Sequence, residues 1–248
     1  RLYTDLSYIT ARDEIGEEAL QVFQALMLGE TVDHMSVLLV APHCLQDKLI
    51  DMIDGEISKA KAGQKGLIRL KMNSLTDKML IDKLVEASQA GVQVEMIVRG
   101  ICCLRPGVPG RTEHISVRSI IGRYLEHERI FVFGRGEAQE VFIGSGDLLE
   151  RNTMRRIEAF TAVTDPNARA EVLEVLSAMR RDNRQAWIMQ PDGSYLRPEG
   201  AGEPFVSQAY LHTYFAGRTV EKPAPPAPPQ PRKKLPWWRR LWIWLKNN

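Results

Sequence analysis

The sequence predicts an α/β fold: a mixed β-sheet flanked by helices on both faces, then a proline-rich linker and a short amphipathic tail. Three observations predict it. Residues 37–98 alternate short apolar runs with helix-period segments, the pattern of right-handed βαβ crossovers around a parallel core. Residues 129–143 hold two more apolar runs joined at Gly134-Arg-Gly136. Strands joined so closely cannot be parallel to each other, so the sheet is mixed. Finally, 248 residues that are 44% apolar and 26% charged allow a sizeable core and argue against wholesale disorder.

Each element has its own signal. Residues 13–29 read as a helix with Ile15, Ala19, Val22, Phe23 and Leu26 on one face and Gly29 as the stop. Residues 37–41 form a strand ended by Pro42. Residues 45–60 form an amphipathic helix on Leu45, Leu49, Met52, Ile53 and Ile57. A strand at 67–72, a helix at 77–89 and a strand at 92–98 follow, with Gly91 as the C-cap signal between the last two. A loop rich in turn residues covers 100–110. Strands are predicted at 115–120, 129–133, 140–143 and 157–163. Asp165 and Pro166 then open a helix to about Arg181, as N-cap and N1. Residues 186–218 show a short hairpin around Pro191-Asp-Gly193 and little further pattern. Residues 221–231 are a stiff, solvated linker.

Charge is unevenly distributed. The net +2 averages a body of −4 over residues 1–231 and a tail from Arg232 that holds six basic residues and no acid. Three cysteines, Cys44, Cys102 and Cys103, match no zinc or redox spacing and read as buried free thiols in a reducing compartment. No apolar run approaches the ~18 residues that span a bilayer. The chain opens at Arg1 with neither an initiator Met nor a basic-then-apolar leader, as a piece of a longer protein would.

The chemistry concentrates in Tyr124-Leu-Glu-His-Glu-Arg-Ile-Phe131. In an extended segment residues i and i+2 share a side, so His127 and Arg129 point into one space. Gly144-Ser-Gly-Asp147 follows the paired strand, then Arg151 and Asn152. Together these can present an imidazole, guanidinium groups, a hydroxyl, backbone N–H groups and an amide to one anionic group, a phosphate site in outline. Arg99 ends an apolar run at the carboxyl end of a parallel strand, where open α/β sheets bind ligands. Gly100 beside it allows close backbone approach. Arg118, Arg123, Arg155 and Arg156 would add positive charge around these segments. His43, after Pro42, is a weaker candidate, and His34, His114 and His212 weaker still.

Several collinear segments together resemble a known family. They are Arg1-Leu-Tyr-Thr-Asp5, Lys71-Met-Asn-Ser74, Ile97-Val-Arg-Gly-Ile-Cys-Cys-Leu-Arg-Pro-Gly107, Arg123-Tyr-Leu-Glu-His127, and Arg151-Asn152 with Arg155-Arg156-Ile-Glu158. From Arg1 to about Leu196 the chain resembles the C-terminal half of the phosphohistidine-type polyphosphate kinases. The resemblance implies two C-terminal domains of phospholipase-D-like fold. It implies reversible transfer of the ATP γ-phosphate to polyphosphate, with magnesium and through a phosphohistidine. It assigns nucleotide contacts to Tyr3, Arg99 and His127, with His127 the second active-site histidine and Arg129 in the Lys place of a degenerate His-x-Lys motif. His127 and Arg129 are thereby the catalytic candidates, and Arg123, Arg151, Asn152 and Arg155 candidate polyphosphate contacts. The phosphorylated histidine and the magnesium ligands of the family lie upstream of Arg1, so the isolated chain is expected to be inactive.

The expected organisation is then 1–36 as the end of the first phospholipase-D-like domain and 37–190 as the second. An extension follows at 191–220, the Pro-rich linker at 221–236 and the tail at 237–248. On a helical wheel Trp237, Trp238, Leu241, Trp242, Trp244 and Leu245 share one arc, opposite Arg239, Arg240 and Lys246. That composition suits a peripheral contact with an anionic membrane surface, and polyphosphate or a protein partner is the alternative. The partners expected are ATP or ADP, polyphosphate and further copies of the chain, with no nucleic acid, in the cytoplasm or at the inner membrane surface. Two other readings compete: a non-catalytic polyanion- or membrane-binding module, and a phospholipase-D-like phosphodiesterase. The second needs a Lys at the His-x-Lys position and an Asp further on, where this sequence has Arg129 and Gly134.

Overall fold

The structure, a computed structural model, describes residues 3–217 except 33, 43 and 199–201. His43 and the tail from Arg232 therefore lie outside the described residues. The chain divides into two compact units, Arg1–Thr213 and Tyr214–Asn248. All that follows concerns the first.

Its elements in order are β1 (Tyr3–Thr4), α1 (Asp13–Leu28), β2 (Leu38–Ala41), α2 (Leu45–Lys61), β3 (Leu67–Met72), α3 (Lys78–Gln89) and β4 (Gln93–Val98). There follow β5 (Ile115–Ile120), β6 (Leu125–Glu126), β7 (Arg129–Phe133), β8 (Glu140–Gly144), α4 (Glu150–Met154), β9 (Glu158–Ala162), α5 (Pro166–Arg181), β10 (Ala186–Met189), β11 (Tyr195–Leu196) and α6, which begins at Ser207. Nine strands form one mixed sheet in the order β11-β10-β5-β4-β3-β7-β8-β9-β2. β1 and β6 pair separately and in parallel.

Within the nine-stranded sheet only β3, β4 and β5 are parallel neighbours. The expectation of a parallel core from 37–98 is thus corrected for its first strand: β2 lies at the sheet edge, antiparallel to β9. It runs in the same direction as β3, but β7, β8 and β9 stand between them. The β7–β8 hairpin takes the place beside β3 instead.

Strand alternation sorts the side chains between two cores. Ile68, Leu70, Met72, Phe131 and Phe133 face α2 and α3. Ile97, Ile130 and Val132 face the other way, toward Val172, Val175 and Leu176 of α5. Helices cover both faces, as the sequence predicts. On α1 the expected apolar face is narrower than predicted: Ile15 is buried, but Phe23 is 65% exposed and Leu26 is exposed too. Buried Glu18 explains part of this, because its carboxylate accepts from the N–H groups of Ser36, Val37 and Leu38 and turns that side of the helix to the start of β2. Of the cysteines only Cys44 is buried, while Cys102 is half-buried and Cys103 exposed. Among the described residues no helix is long and apolar enough to cross a membrane.

Candidate active site

The topology collects the predicted residues at one sheet edge. β3 and β4 end at Met72 and Val98, so Asn73 and Arg99 follow their carboxyl ends. β7 is antiparallel to β3, with Lys71 opposite Ile130, which sets the start of β7 at that same edge. Arg129 pairs in turn with Gly144 at the end of β8, which brings the Ser145–Asp147 turn alongside. Crevices outside the carboxyl ends of strands are where open α/β sheets bind ligands.

Residues 126–133 alternate across the sheet, and the alternation separates function from support. His127 and Arg129 share the side of Phe131. As predicted, they meet: Arg129 Nη1 lies 3.0 Å from Nδ1 and 3.1 Å from Nε2 of the imidazole, and donates to the His127 carbonyl at 2.7 Å. Glu126 and Glu128 lie on the opposite side with Ile130, above Lys71 of β3. Lys71 Nζ donates to the carbonyls of Glu126 (2.9 Å) and Glu128 (2.7 Å) and pairs with the Glu128 carboxylate at 3.4 Å. The backbone on each side of His127 is therefore tied to one buried ammonium. Burial pushes that ammonium below its usual range, against the pull of Glu128 and Glu126.

The His127 ring is open, its side chain 42% exposed. Asp5 Oδ2 lies 2.8 Å from Nδ1, and the His127 N–H donates to the Thr4 carbonyl at 2.8 Å. A carboxylate at Nδ1 favours the proton there in the neutral ring, which leaves Nε2 able to accept from Arg129 Nη1. Tyr3 stands edge-on to the imidazole at 5.8 Å between ring centroids. Tyr3 and Asp5, two residues apart in an extended segment, thus both reach His127.

Arg129 is placed otherwise than expected. Its side chain is only 8% exposed, and Nε and Nη2 donate to Asp147 at 3.1 and 3.2 Å. A charge so buried needs its partner, so the guanidinium is spent on Asp147 and the His127 carbonyl rather than offered to a ligand. Asp147 also accepts from Asn73 N–H at 2.7 Å, and Asn73 Oδ1 accepts from Arg99 Nε at 3.3 Å. One chain of hydrogen bonds therefore runs from Arg99 through Asn73, Asp147 and Arg129 to His127. The close approach expected at Gly100 is present: a Cβ there would lie 2.8 Å from the Asn73 carbonyl, which accepts the Gly100 N–H at 2.7 Å.

Arg99 and Arg123 line one cleft of about 280 Å³ with residues 120–122, 124 and 125. Arg151, Arg155 and Arg156 are exposed at and beyond α4. Three residues expected at the site bond elsewhere. Asn152 is buried and its Nδ2 donates to Glu158 at 2.8 Å, while Ser145 Oγ donates to the same carboxylate at 2.6 Å. Arg118 donates to the Arg180 carbonyl beside α5. Among the described residues no group of three or more His, Cys, Asp or Glu side chains could hold a metal ion. Sequence reasoning missed Asp5, Lys71, Asn73 and Asp147 as parts of the site. All four stood inside segments quoted above, Asp147 in Gly144-Ser-Gly-Asp147, but their partners are remote in sequence.

Residues 38–208 match the family model described as polyphosphate kinase C-terminal domain 2. The chain is 44% identical over 225 residues to a polyphosphate kinase of Synechocystis sp., covering 90% of this chain and 31% of that protein. It is 44% identical over 227 residues to one of Rhodopirellula baltica, covering 90% and 27%. The crystal structure of polyphosphate kinase from Porphyromonas gingivalis aligns with a TM-score of 0.78 at 36% identity, covering 84% of this chain and 32% of that one. The chain thus spans about three-tenths of the length of the curated relatives it matches.

Proposed function

The chain belongs to the polyphosphate kinase family, and on that premise we propose that it supplies one half of a site for reversible transfer of the ATP γ-phosphate to polyphosphate. The placement of His127 carries this reading. A half-open imidazole, with Asp5 at Nδ1, Arg129 Nη1 3.1 Å from Nε2 and backbone fixed by Lys71 and Arg129, stands at the edge of the sheet where the parallel strands end. Held so, Nε2 takes a proton from an attacking or leaving oxygen, or when protonated donates to a phosphoryl oxygen.

The other residues divide the work. Arg99, its Nε on Asn73, offers its terminal nitrogens to the phosphoryl oxygens, with Arg123 across the same cleft. Tyr3 packs against the nucleotide beside His127. Arg129 acts through His127 as a positioning residue. Arg151 and Arg155 lie on the path of the polyphosphate chain, and Asn152 acts by holding Glu158. Magnesium would supply charge neutralisation in phosphoryl transfer, and among the described residues no cluster of three His, Cys, Asp or Glu side chains stands ready to hold it.

The nucleophilic histidine is placed outside this chain. With γ-labelled ATP, no acid-labile, base-stable label should appear on the chain. Such a label would put the nucleophile among these residues and overturn the reading. The tail from Arg232 is read as a contact with an anionic membrane surface. Co-sedimentation with anionic liposomes should be lost when residues 232–248 are removed, and competition by polyphosphate would favour the polyanion instead. Self-association and a cytoplasmic location are part of the same proposal.

A further inference from the structure

We propose that Gln208 is a positioning residue for His127: it is the clamp through which α6 fixes the segment that delivers the imidazole. The inference rests on the role given to His127 above. Gln208 is only 5% exposed, and a buried amide is costly unless bonded. All three of its bonds go to one place. Oε1 accepts from the Tyr124 N–H at 2.9 Å, while Nε2 donates to the Tyr124 carbonyl at 3.1 Å and to Glu126 Oε1 at 2.8 Å. One side chain thus serves Tyr124 as a neighbouring strand would, two residues before β6 runs into His127.

Three further observations point the same way. His212, four residues on and on the same helix face, stacks on the Tyr124 ring at 6.4 Å and 5°. The root of α6 is itself anchored, since Ser207 N–H and Oγ both donate to Asp182 Oδ2 at 2.7 Å. Asp182 Oδ1 in turn gathers the N–H groups of Arg184, Gln185 and Ala186. Finally, a Cβ on Gly122 would lie 2.4 Å from both Gln208 Oε1 and Gln185 Oε1, so the missing side chain makes room for the two amides. β1, Lys71 and Gln208 hold the segment from three sides. Of these, Gln208 is the one set by the C-terminal end of the family-matched region.

The clamp makes a pH-dependent signature. Glu126 faces Lys71 from β3, Glu128 from its own segment, Asp182 from the end of α5 and Gln208 from α6. In Gln208→Glu a second carboxyl meets Glu126, and the pair holds together only with a shared proton. The test uses the full-length enzyme in four variants, His127→Ala, Gln208→Ala, Gln208→Glu and Gly122→Ala, each first checked by thermal unfolding. Gly122→Ala keeps Gln208 and crowds its amide together with that of Gln185, so a variant remains to be read, beside Gln208→Glu, where Gln208→Ala fails to fold. Gln208→Ala and Gly122→Ala should lower kcat about 10-fold or more with KM for ATP within about twofold. The rate of Gln208→Glu relative to wild type should rise as pH falls from about 8.5 to about 6.5, while that of Gln208→Ala stays flat. Wild-type kcat in Gln208→Ala and Gly122→Ala, with His127→Ala inactive, overturns the clamp and leaves the proposed function standing. Near-normal rates in His127→Ala overturn that function, and amide exchange on the 248-residue chain then decides the clamp. Exchange about 10-fold faster at Tyr124 in Gln208→Ala supports it, and unchanged exchange overturns it.

Discussion

Glu126 directly precedes His127, and burial pushes its carboxyl up to about 7. Gln208 and Lys71 oppose that rise, while Glu128 and Asp182 add to it. In the unfolded chain the same carboxyl titrates near ~4.3. Between those values the fold keeps a proton that the unfolded chain has released, so stability falls as pH rises through the window and levels off above it. Glu126→Gln should flatten this part of the stability curve when urea unfolding is followed from about pH 5 to about pH 8. An unchanged slope would contradict the assignment. Arg129→Ala should destabilise the chain by about 3–5 kcal/mol, because it leaves the Asp147 carboxylate buried and unpaired. A cost below about 1 kcal/mol in the same assay would mean that the pair is solvated. The His-x-Arg spacing was legible because both residues sit two apart on one extended segment. Asp5, Lys71 and Gln208 were not legible as parts of the site, since their contacts cross 122, 55 and 82 residues of sequence.

Helix caps give the clearest comparison between elements. Asp165 accepts from the N–H groups of Asn167 and Ala168 and caps α5 in the way its sequence predicts. Asp77 caps α3 through the Leu80 N–H and also accepts from Gln46 Nε2 and Thr153 Oγ1, which ties α3 to α2 and α4. Asp165→Ala should therefore cost about 1 kcal/mol and Asp77→Ala at least about twice that, measured by chemical unfolding. Equal costs would show that the ties to Gln46 and Thr153 contribute nothing. Elements with an apolar period were legible, as were hairpins with glycine turns. α4 spans five residues, too few for a period to show. α6 was invisible because its buried positions in the first turn are Ser207 and Gln208, both polar. Strand order was legible only in part: local pattern makes β2 a strand, but its place at the edge depends on β7, β8 and β9, which come later in the chain.

At the scale of the whole molecule, net charge misleads. Residues 1–231 carry −4, yet the proposed substrates are polyanions. The groups that would meet them are few and local, Arg99 and Arg123 in one cleft and His127 beside it, while the surplus of basic residues belongs to the tail. The fold explains how so small a set suffices. Parallel strands end where antiparallel β7 begins, and the Arg129–Asp147 pair beneath fixes the imidazole without spending exposed charge. The central claim is that His127 takes part in the transfer itself. Its most direct test is the rate of polyphosphate synthesis from ATP by the full-length enzyme carrying His127→Ala. A loss of about 100-fold or more at unchanged thermal stability is predicted, and a rate within about twofold of wild type would contradict the account.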